Sequence, residues 1–212
     1  MCQRAGAGRR IAARRLLVTG RHFVTRWFGA LGVTFALVGP VSQGVASAQT
    51  LAETRERANA GDAVAQDDLG VMYYNGEAVP QDYVEAVRWF RLAADQGLAA
   101  AQLDLGVMYD RGRGVPQDYV EAVRWYRLAV DQGLAAAQYN LGFMYDRGRG
   151  VLLDYVEALK WVTLAATRAS SDRQEAYAQA RGALAMLMTR AQVADAQRLA
   201  MEWQAAFDAR QK

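Results

Sequence analysis

Two stripes of apolar residues at helical spacing follow each other along the chain. Within 65–73 the apolar positions are separated by four, three and one residues, which places them on one face of an α-helix. Within 83–93 a second stripe follows the same rule. The two stripes consist of Ala65, Leu69, Met72 and Tyr73, and of Tyr83, Ala86, Trp89 and Ala93. Gly76 and Pro80 lie between them, so the pattern predicts two helices joined by a tight loop.

This hairpin pattern recurs with a period of 36 residues. The units are 65–100, 101–136 and 137–172; the first two agree at 29 of 36 positions and the last two at 20. A fixed period of this length indicates a solenoid of helical hairpins. We therefore expect an all-α, right-handed α/α superhelical solenoid of about 3.5 hairpins with a C-terminal capping helix.

Each unit carries residues that begin and end helices. A glycine follows each first helix where a C-cap requires a positive φ angle. An aspartate precedes each second helix, with a glutamate three residues later, and this spacing predicts a capping box with Asp in the usual Ser/Thr position. The residues are Gly76, Gly112 and Gly148; Asp82, Asp118 and Asp154; and Glu85, Glu121 and Glu157.

The ends of the array depart from the repeat. Residues 49–64 are predicted to form an N-terminal capping helix or partial repeat, and 173–212 a degenerate repeat and a C-terminal cap. Thr189 and Gln192 have the spacing of a capping box before the last helix. Repeat arrays need such atypical ends because inner units bury their faces only against neighbours.

The repeated residues resemble a known family. The pattern Ala-Gln-x-x-Leu-Gly-x-Met-Tyr, Gly-x-x-Val, Asp-Tyr-x-Glu-Ala-x-x-Trp, Ala-x-x-x-Gly resembles the Sel-1-like repeats, a subclass of tetratricopeptide-like hairpins, over about 60–170. The third unit departs from it at Leu152 and Ala169, where the proline and the closing glycine would stand. The resemblance implies a non-catalytic adaptor that holds a protein or peptide in a concave groove.

Positions that vary between units while the frame stays fixed are candidates for that groove. They lie on the face of the first helix opposite the Leu69 stripe, and the resemblance implies that this face lines the concave side. We refer to them as the groove set: Asp67, Val71, Tyr74, Asn75, Leu103, Val107, Asp110, Arg111, Tyr139, Phe143, Asp146 and Arg147.

Four members of the groove set, Leu103, Val107, Tyr139 and Phe143, would form an apolar strip with arginines at its edge. An exposed apolar strip with a charged rim is typical of a peptide-binding surface. The alternative is that these side chains pack against the next repeat while the arginines pair with aspartates in solvent.

The charge of the chain is uneven. The formal net charge is +3, but residues 1–48 hold seven arginines and no acid, so the remainder has 18 basic and 22 acidic residues and a net charge of −4. An arginine-rich segment, the 13-residue apolar run 27–39 and the small residues 46–48 are typical of a secretory signal peptide cleaved after Ala48. The run is too short to span a bilayer. We expect a bacterial periplasmic or secreted protein without a stable membrane anchor.

The residue inventory argues against catalysis. Cys2 and His22 are the only cysteine and histidine, and both precede the predicted cut. The mature chain therefore lacks thiolate or histidine nucleophile systems and the usual zinc ligands, and we expect no metal or cofactor. Asp67 and Asp68 could serve a carboxylate-only hydrolase, but adjacent helical residues point about 100° apart.

A second binding class remains open beside the peptide groove. Four loop arginines recur at the repeat period and could contact an anionic envelope polymer or lipid headgroups, although the acidic mature chain does not favour polyanions or nucleic acid. They are Arg111, Arg113, Arg147 and Arg149. The expected partner is a protein or peptide, and the protein is expected to be a monomer.

Overall fold

The computed structural model describes residues 41–212, with side chains from residue 50 onward. Within this part of the chain every regular element is an α-helix. The helices are α1 Val41–Asn59, α2 Ala63–Asn75, α3 Tyr83–Asp95, α4 Ala99–Arg111, α5 Tyr119–Asp131, α6 Ala135–Arg147, α7 Tyr155–Arg168, α8 Ser171–Met186 and α9 Arg190–Arg210.

The helices pair as the 36-residue period predicts. Hairpins α2–α3, α4–α5 and α6–α7 stack in chain order, and the second helix of each packs on the first helix of the next. Helix α1 packs on α2, while α7 receives both α8 and α9. The expected all-helical solenoid is therefore confirmed.

The ends of the first helices follow the predicted glycine rule. Gly76, Gly112 and Gly148 adopt left-handed conformations with φ of 76°, 64° and 61°, and the amide of each donates back to the last helical turn. This conformation is open to glycine because it has no Cβ.

The second helices begin as predicted at aspartates, but without the reciprocal capping box. The Asp82 carboxylate accepts from the amides of Val84 and Glu85 at 2.9 and 3.1 Å. The Asp82 amide already donates to the Tyr73 carbonyl at 2.9 Å, so Glu85 has no free donor to accept from. The other two hairpins repeat this arrangement. The prediction for the three glutamates was thus wrong, and the reason is the tight contact between paired helices.

The loop of each hairpin also touches the preceding hairpin. Gly114 has φ of +70°, and a Cβ placed on it would lie 2.1 Å from the Tyr83 carbonyl oxygen. Gly150 makes the equivalent approach to Tyr119 at 2.2 Å. Only glycine fits these two positions, which join each loop to the start of the previous second helix.

The C-terminal cap covers a position that stays open in the inner repeats. Leu92 and Leu128 on α3 and α5 are 42% and 38% exposed, whereas the equivalent Leu164 on α7 is 3% exposed. Helix α9 packs on α7 and begins at the predicted capping box, in which Gln192 and Thr189 satisfy each other's amides at 3.3 and 2.9 Å.

The predicted export signal cannot be followed in the structure. Residues 1–40 lie outside the described residues, and 41–48 belong to α1. Among the described helices, none combines the length and apolar character that crossing a membrane would require.

Candidate functional site

The groove set lies on the first helices of the three hairpins, α2, α4 and α6. Asn75, Arg111 and Arg147, at the ends of these helices, are exposed. The other nine members are half-buried, so each presents part of its side chain to solvent and part to a neighbouring element. Eight of the twelve members line two cavities, and the other four, Asp67, Leu103, Asp110 and Arg111, line neither of them.

The larger of these two cavities lies between α6 and α8 and has a volume of about 420 Å³. It is lined by the four groove-set residues of α6 and by side chains of α7 and α8 that sequence reasoning did not assign to the groove. Its apolar wall includes Val162, Leu184 and Leu187, the last of which is 66% exposed. The groove-set members here are Tyr139, Phe143, Asp146 and Arg147.

Aromatic rings in this cavity are held by neighbouring groups. The Tyr139 ring stacks on Tyr177 of α8 with ring centroids 4.4 Å apart. The guanidinium groups of Arg147 and Arg149 lie 5.5 and 5.6 Å from the Phe143 ring centroid. Arg147 also pairs with Asp146 at 3.1 Å, as the alternative reading of the sequence expected. The cavity therefore has a fixed aromatic wall and a charged rim.

The smaller cavity lies between α2 and α4 and has a volume of about 240 Å³. Four groove-set residues line it: Val71, Tyr74, Asn75 and Val107. Phe90 and Met108 supply apolar surface, and Asp104 is the one acid among the lining residues. This cavity is thus apolar on most sides with one carboxyl group in its wall.

Between the cavities the predicted apolar strip is partly closed. Leu103 and Val107 pack against the core shared by the second and third hairpins. Asp110 has its Oδ1 shielded without a hydrogen-bond partner among the described residues, and burial raises its pKa against the lowering influence of Arg149 and Arg111. The structure thus divides the strip into two separate pockets.

The loop arginines are not equivalent to one another. Arg113 is half-buried, lies 5.3 Å from the Tyr83 ring centroid and donates to the Tyr74 hydroxyl. Arg149 lies 5.2 Å from the Tyr119 ring centroid. Arg111 also donates to the Tyr74 hydroxyl, at 3.3 Å. Three of the four arginines therefore join one hairpin to the previous one, and Arg111 and Arg147 are the more exposed pair.

Asp67 faces a different acid from the one that the sequence suggested. Asp68 is exposed, whereas Asp67 is half-buried, and its Oδ1 is shielded without a hydrogen-bond partner in the described part of the chain. Burial first, then the charges of Asp104 and Asp68, raise the pKa of Asp67 to about 7. Burial raises the pKa of Asp104 to about 6. The relevant neighbour of Asp67 is thus on the next hairpin.

Sequence reasoning missed a series of arginine–tyrosine bonds between hairpins. Arg55 and Arg127 donate to the hydroxyls of Tyr73 and Tyr145 at 3.5 and 3.1 Å, and Arg91 donates to Tyr109 in the same way. The signal was present, because these arginines recur at the 36-residue period. Their role was hidden because each bond joins two different units.

Sequence reasoning also missed a glutamine series, in which bonds to backbone carbonyls cross between units and glutamine–glutamine bonds lie within one unit. Buried Gln66 and Gln102 donate to the carbonyls of Ala58 and Ala94 at 3.1 and 3.3 Å. Each also accepts from a second glutamine, one from Gln96 at 2.7 Å and the other from Gln132 at 2.8 Å. The third member, Gln138, is fully buried, and neither side-chain atom has a hydrogen-bond partner in residues 50–212.

The side-chain oxygen of Gln138 lacks a donor because position 168 of the third hairpin is arginine instead of glutamine. Arg168 donates to the Gly133 carbonyl at 3.2 Å and to Gln204 of α9 at 3.0 Å. Gln138 therefore has no equivalent of Gln96 or Gln132.

A third cavity lies on the other side of α7, against α9, with a volume of about 670 Å³. Its lining includes Leu164, Ala200 and the 67% exposed Met201, and it contains no member of the groove set. No group of three or more acids, histidines or cysteines suited to a metal ion occurs among the described residues.

Comparison with known proteins identifies the repeat. The family model described as "Sel1 repeat" matches residues 63–98, 99–134 and 135–170, which is the expected period with boundaries two residues earlier. No curated protein matches the chain.

Two solved structures are similar to it. One is c5321, described as a protective antigen present in uropathogenic Escherichia coli strains that displays an SLR fold: 45% identity, TM-score 0.54 and 61% of this chain covered. The other is a Sel1 repeat protein from Oxalobacter formigenes: 31% identity, TM-score 0.53 and 63% covered. The matches span 28% and 57% of those two chains.

Proposed function

Because this chain belongs to the Sel1 repeat family, whose members generally mediate protein–protein interactions, we propose that it is a non-catalytic adaptor that binds a protein or peptide segment. We place the binding site on the groove set, at the cavity between α6 and α8. The observation that carries this proposal is the geometry of that cavity, about 420 Å³ with two groove-set aromatic rings in its wall.

The lining of the cavity indicates what a partner would present. Tyr139 and Phe143 are half-buried and held by Tyr177 and two guanidinium groups, so an incoming side chain meets preorganised surface. Preorganised aromatic residues dominate many interfaces because little entropy is lost when they bind. A large apolar side chain of the partner fits this wall, and backbone or polar groups can reach the Asp146–Arg147 pair at the rim.

The test is binding by the mature segment, residues 49–212, and by its Tyr139→Ala and Phe143→Ala variants. Proteins captured from an extract of the source cells with the wild-type segment are identified, and the Kd of each is measured by calorimetry. We expect each substitution to raise the Kd about tenfold or more, the usual effect of removing an interface anchor. Far-UV circular dichroism should be unchanged.

Leu92→Ala provides the matched control, because Leu92 is an exposed apolar residue on α3 outside the groove set. It should bind like the wild type. If the Tyr139 and Phe143 variants bind normally, or unfold, the proposed groove site is wrong.

We further propose that the protein is exported. The support is the sequence pattern of residues 1–48, an arginine-rich segment, an apolar run and a small-residue cleavage site. Expression of the full chain in a bacterium should yield an extracytoplasmic product. Its intact mass should equal that of a chain that begins at Gln49. Ala48→Arg should block cleavage. A cytoplasmic product that retains Met1 would contradict export.

The structure gives less support to a polymer-binding function. Arg113 and Arg149 contact aromatic rings of the preceding hairpin, and Arg111 donates to the Tyr74 hydroxyl there. Arg147 pairs with Asp146. The carboxylate-only hydrolase is not supported at the pair that the sequence suggested, since Asp68 is exposed whereas Asp67 is half-buried.

A further inference from the structure

We propose that the contact between the first two hairpins is a pH-responsive joint, in which Asp67 of α2 and Asp104 of α4 hold the helices together when protonated and push them apart when both are ionised. This inference does not require that the groove bind a partner. It concerns the α2–α4 interface alone.

Both carboxyl groups lie at this interface. Asp104 lines the cavity between α2 and α4 together with Val71 and Tyr74. Asp67 is four residues before Val71 and seven before Tyr74, so it lies on the same face of α2. Its Oδ1 is shielded from solvent and has no hydrogen-bond partner among residues 50–212. Two half-buried acids, one of which acts electrostatically on the other, therefore lie at a contact whose lining is mostly apolar.

The groups around the pair do not neutralise it. The charges that act on Asp67 are those of Asp104 and Asp68, and both are acids. Helix α3 contributes the apolar Phe90 to this interface. On α5, burial raises the pKa of the Tyr126 hydroxyl, and the charge of Asp104 adds to this. From α1, Arg55 reaches the hydroxyl of Tyr73.

The cations at the interface lie further along. Arg111 and Arg113 are bound to the Tyr74 hydroxyl, two helical turns beyond Asp67. Arg111 and Arg149 act on Asp110. Ionisation of both Asp67 and Asp104 therefore places two like charges in a poorly hydrated contact, which is unfavourable.

The next interface shows what the same geometry looks like without charge. The residues equivalent to Asp67 and Asp104 are Leu103 on α4 and Asn140 on α6. Leucine and asparagine side chains do not titrate, although the units on the two sides of this interface agree at 20 of 36 positions. The pH response is thus confined to one joint of the array, and the chain itself supplies the substitutions that should remove it.

The direction of the response follows from the raised pKa values, about 7 for Asp67 and about 6 for Asp104 against 3.8 for an ordinary aspartate. Between about pH 4 and pH 7 the folded joint binds more protons than the open one, so its stability falls as the pH rises. Above pH 7 the stabilisation is lost. Helix α2 should therefore open more easily at pH 8 than at pH 5.

Hydrogen exchange measured by mass spectrometry on the full chain tests this. After correction for intrinsic exchange, the protection of α2 amides should fall at least tenfold between pH 5 and pH 8, as expected for one or two linked protons. The protection of α6 amides should change much less. Asp67→Leu and Asp104→Asn, which insert the residues of the later repeats, should remove the difference and raise α2 protection at pH 8.

Asp95→Asn is the control, since Asp95 is exposed at the end of α3 and its removal changes the net charge equally. It should retain the wild-type pH response. The inference is overturned if α2 protection does not depend on pH, or if Asp104→Asn leaves the dependence intact. Because two independent variants carry the test, failure of one to fold still leaves a result.

Discussion

At the scale of single residues, the glycines of the loops are set by contact as well as by backbone conformation. Gly76 needs its positive φ angle to end α2, whereas Gly114 also has the Tyr83 carbonyl at a distance that no Cβ tolerates. The first requirement is visible in sequence as a helix C-cap. The second is a contact between two hairpins.

Gly114→Ala should accordingly destabilise the protein by about 2 kcal/mol or more, because the left-handed φ angle and the steric overlap both oppose the methyl group. The measurement is the free energy of unfolding in urea. Gly182→Ala provides the contrast: Gly182 lies within α8 with nothing near its Cβ position, so alanine should stabilise the protein by about 0.5–1 kcal/mol. Equal effects at both sites would contradict the proposed contact.

The candidate site could be predicted from sequence only in part, and single residues show why. The varying positions of the first helices led to Tyr139 and Phe143, which do line a cavity. The same logic placed Leu103 in the exposed strip and left packing against the next repeat as the alternative, and Leu103 does pack on the next core. A repeat period identifies equivalent positions, but it does not tell how far one hairpin is rotated against the next, and that rotation decides which half of a side chain remains exposed.

At the scale of elements, α9 caps the last hairpin by packing on α7. Trp203 contacts Trp161 edge to face at 5.5 Å and stacks on Phe207 at 5.1 Å. These contacts accompany the burial of Leu164, whose equivalents on α3 and α5 are exposed. The helical spacing of α9 and its capping box could be found in the sequence, but its packing on α7 could not, because no repeated unit precedes it as a template.

Trp203→Ala should cost about 2 kcal/mol of stability, since a half-buried indole leaves both a void and lost apolar contact. Thermal unfolding followed by circular dichroism measures it. Met201→Ala, a change on the same helix at a residue that is 67% exposed, should stay within about 0.5 kcal/mol. If the two variants melt alike, α9 is not held by its aromatic face.

At the scale of the whole molecule, the described part of the chain is held by contacts between neighbours. Arginine–tyrosine bonds, glutamine–carbonyl bonds and loop glycines each recur from one hairpin to the next. Helix α1 takes part as if it closed a preceding hairpin, because Arg55 and Ala58 make the contacts that Arg91 and Ala94 make later. The fold class could be predicted because such arrays repeat one local rule. The acid pair at the first joint could not, because Asp67 and Asp104 belong to different units.

The replacement at position 168 has a consequence for how such a chain can lengthen. Arg168 is committed to α9 through Gln204 and lies 4.1 Å from the Phe207 ring centroid, so the third hairpin and α9 form one terminal module. A tandem duplication of the third hairpin without α9 would leave the arginine of the copy without these two partners. The second unit, 101–136, has a glutamine at the equivalent position, Gln132, which donates to Gln102 of its own unit and to the Gly97 carbonyl of the unit before, and a copy of this unit would find both partners again. A hairpin copied in the interior would therefore keep its glutamine bonds, whereas the third hairpin depends on α9.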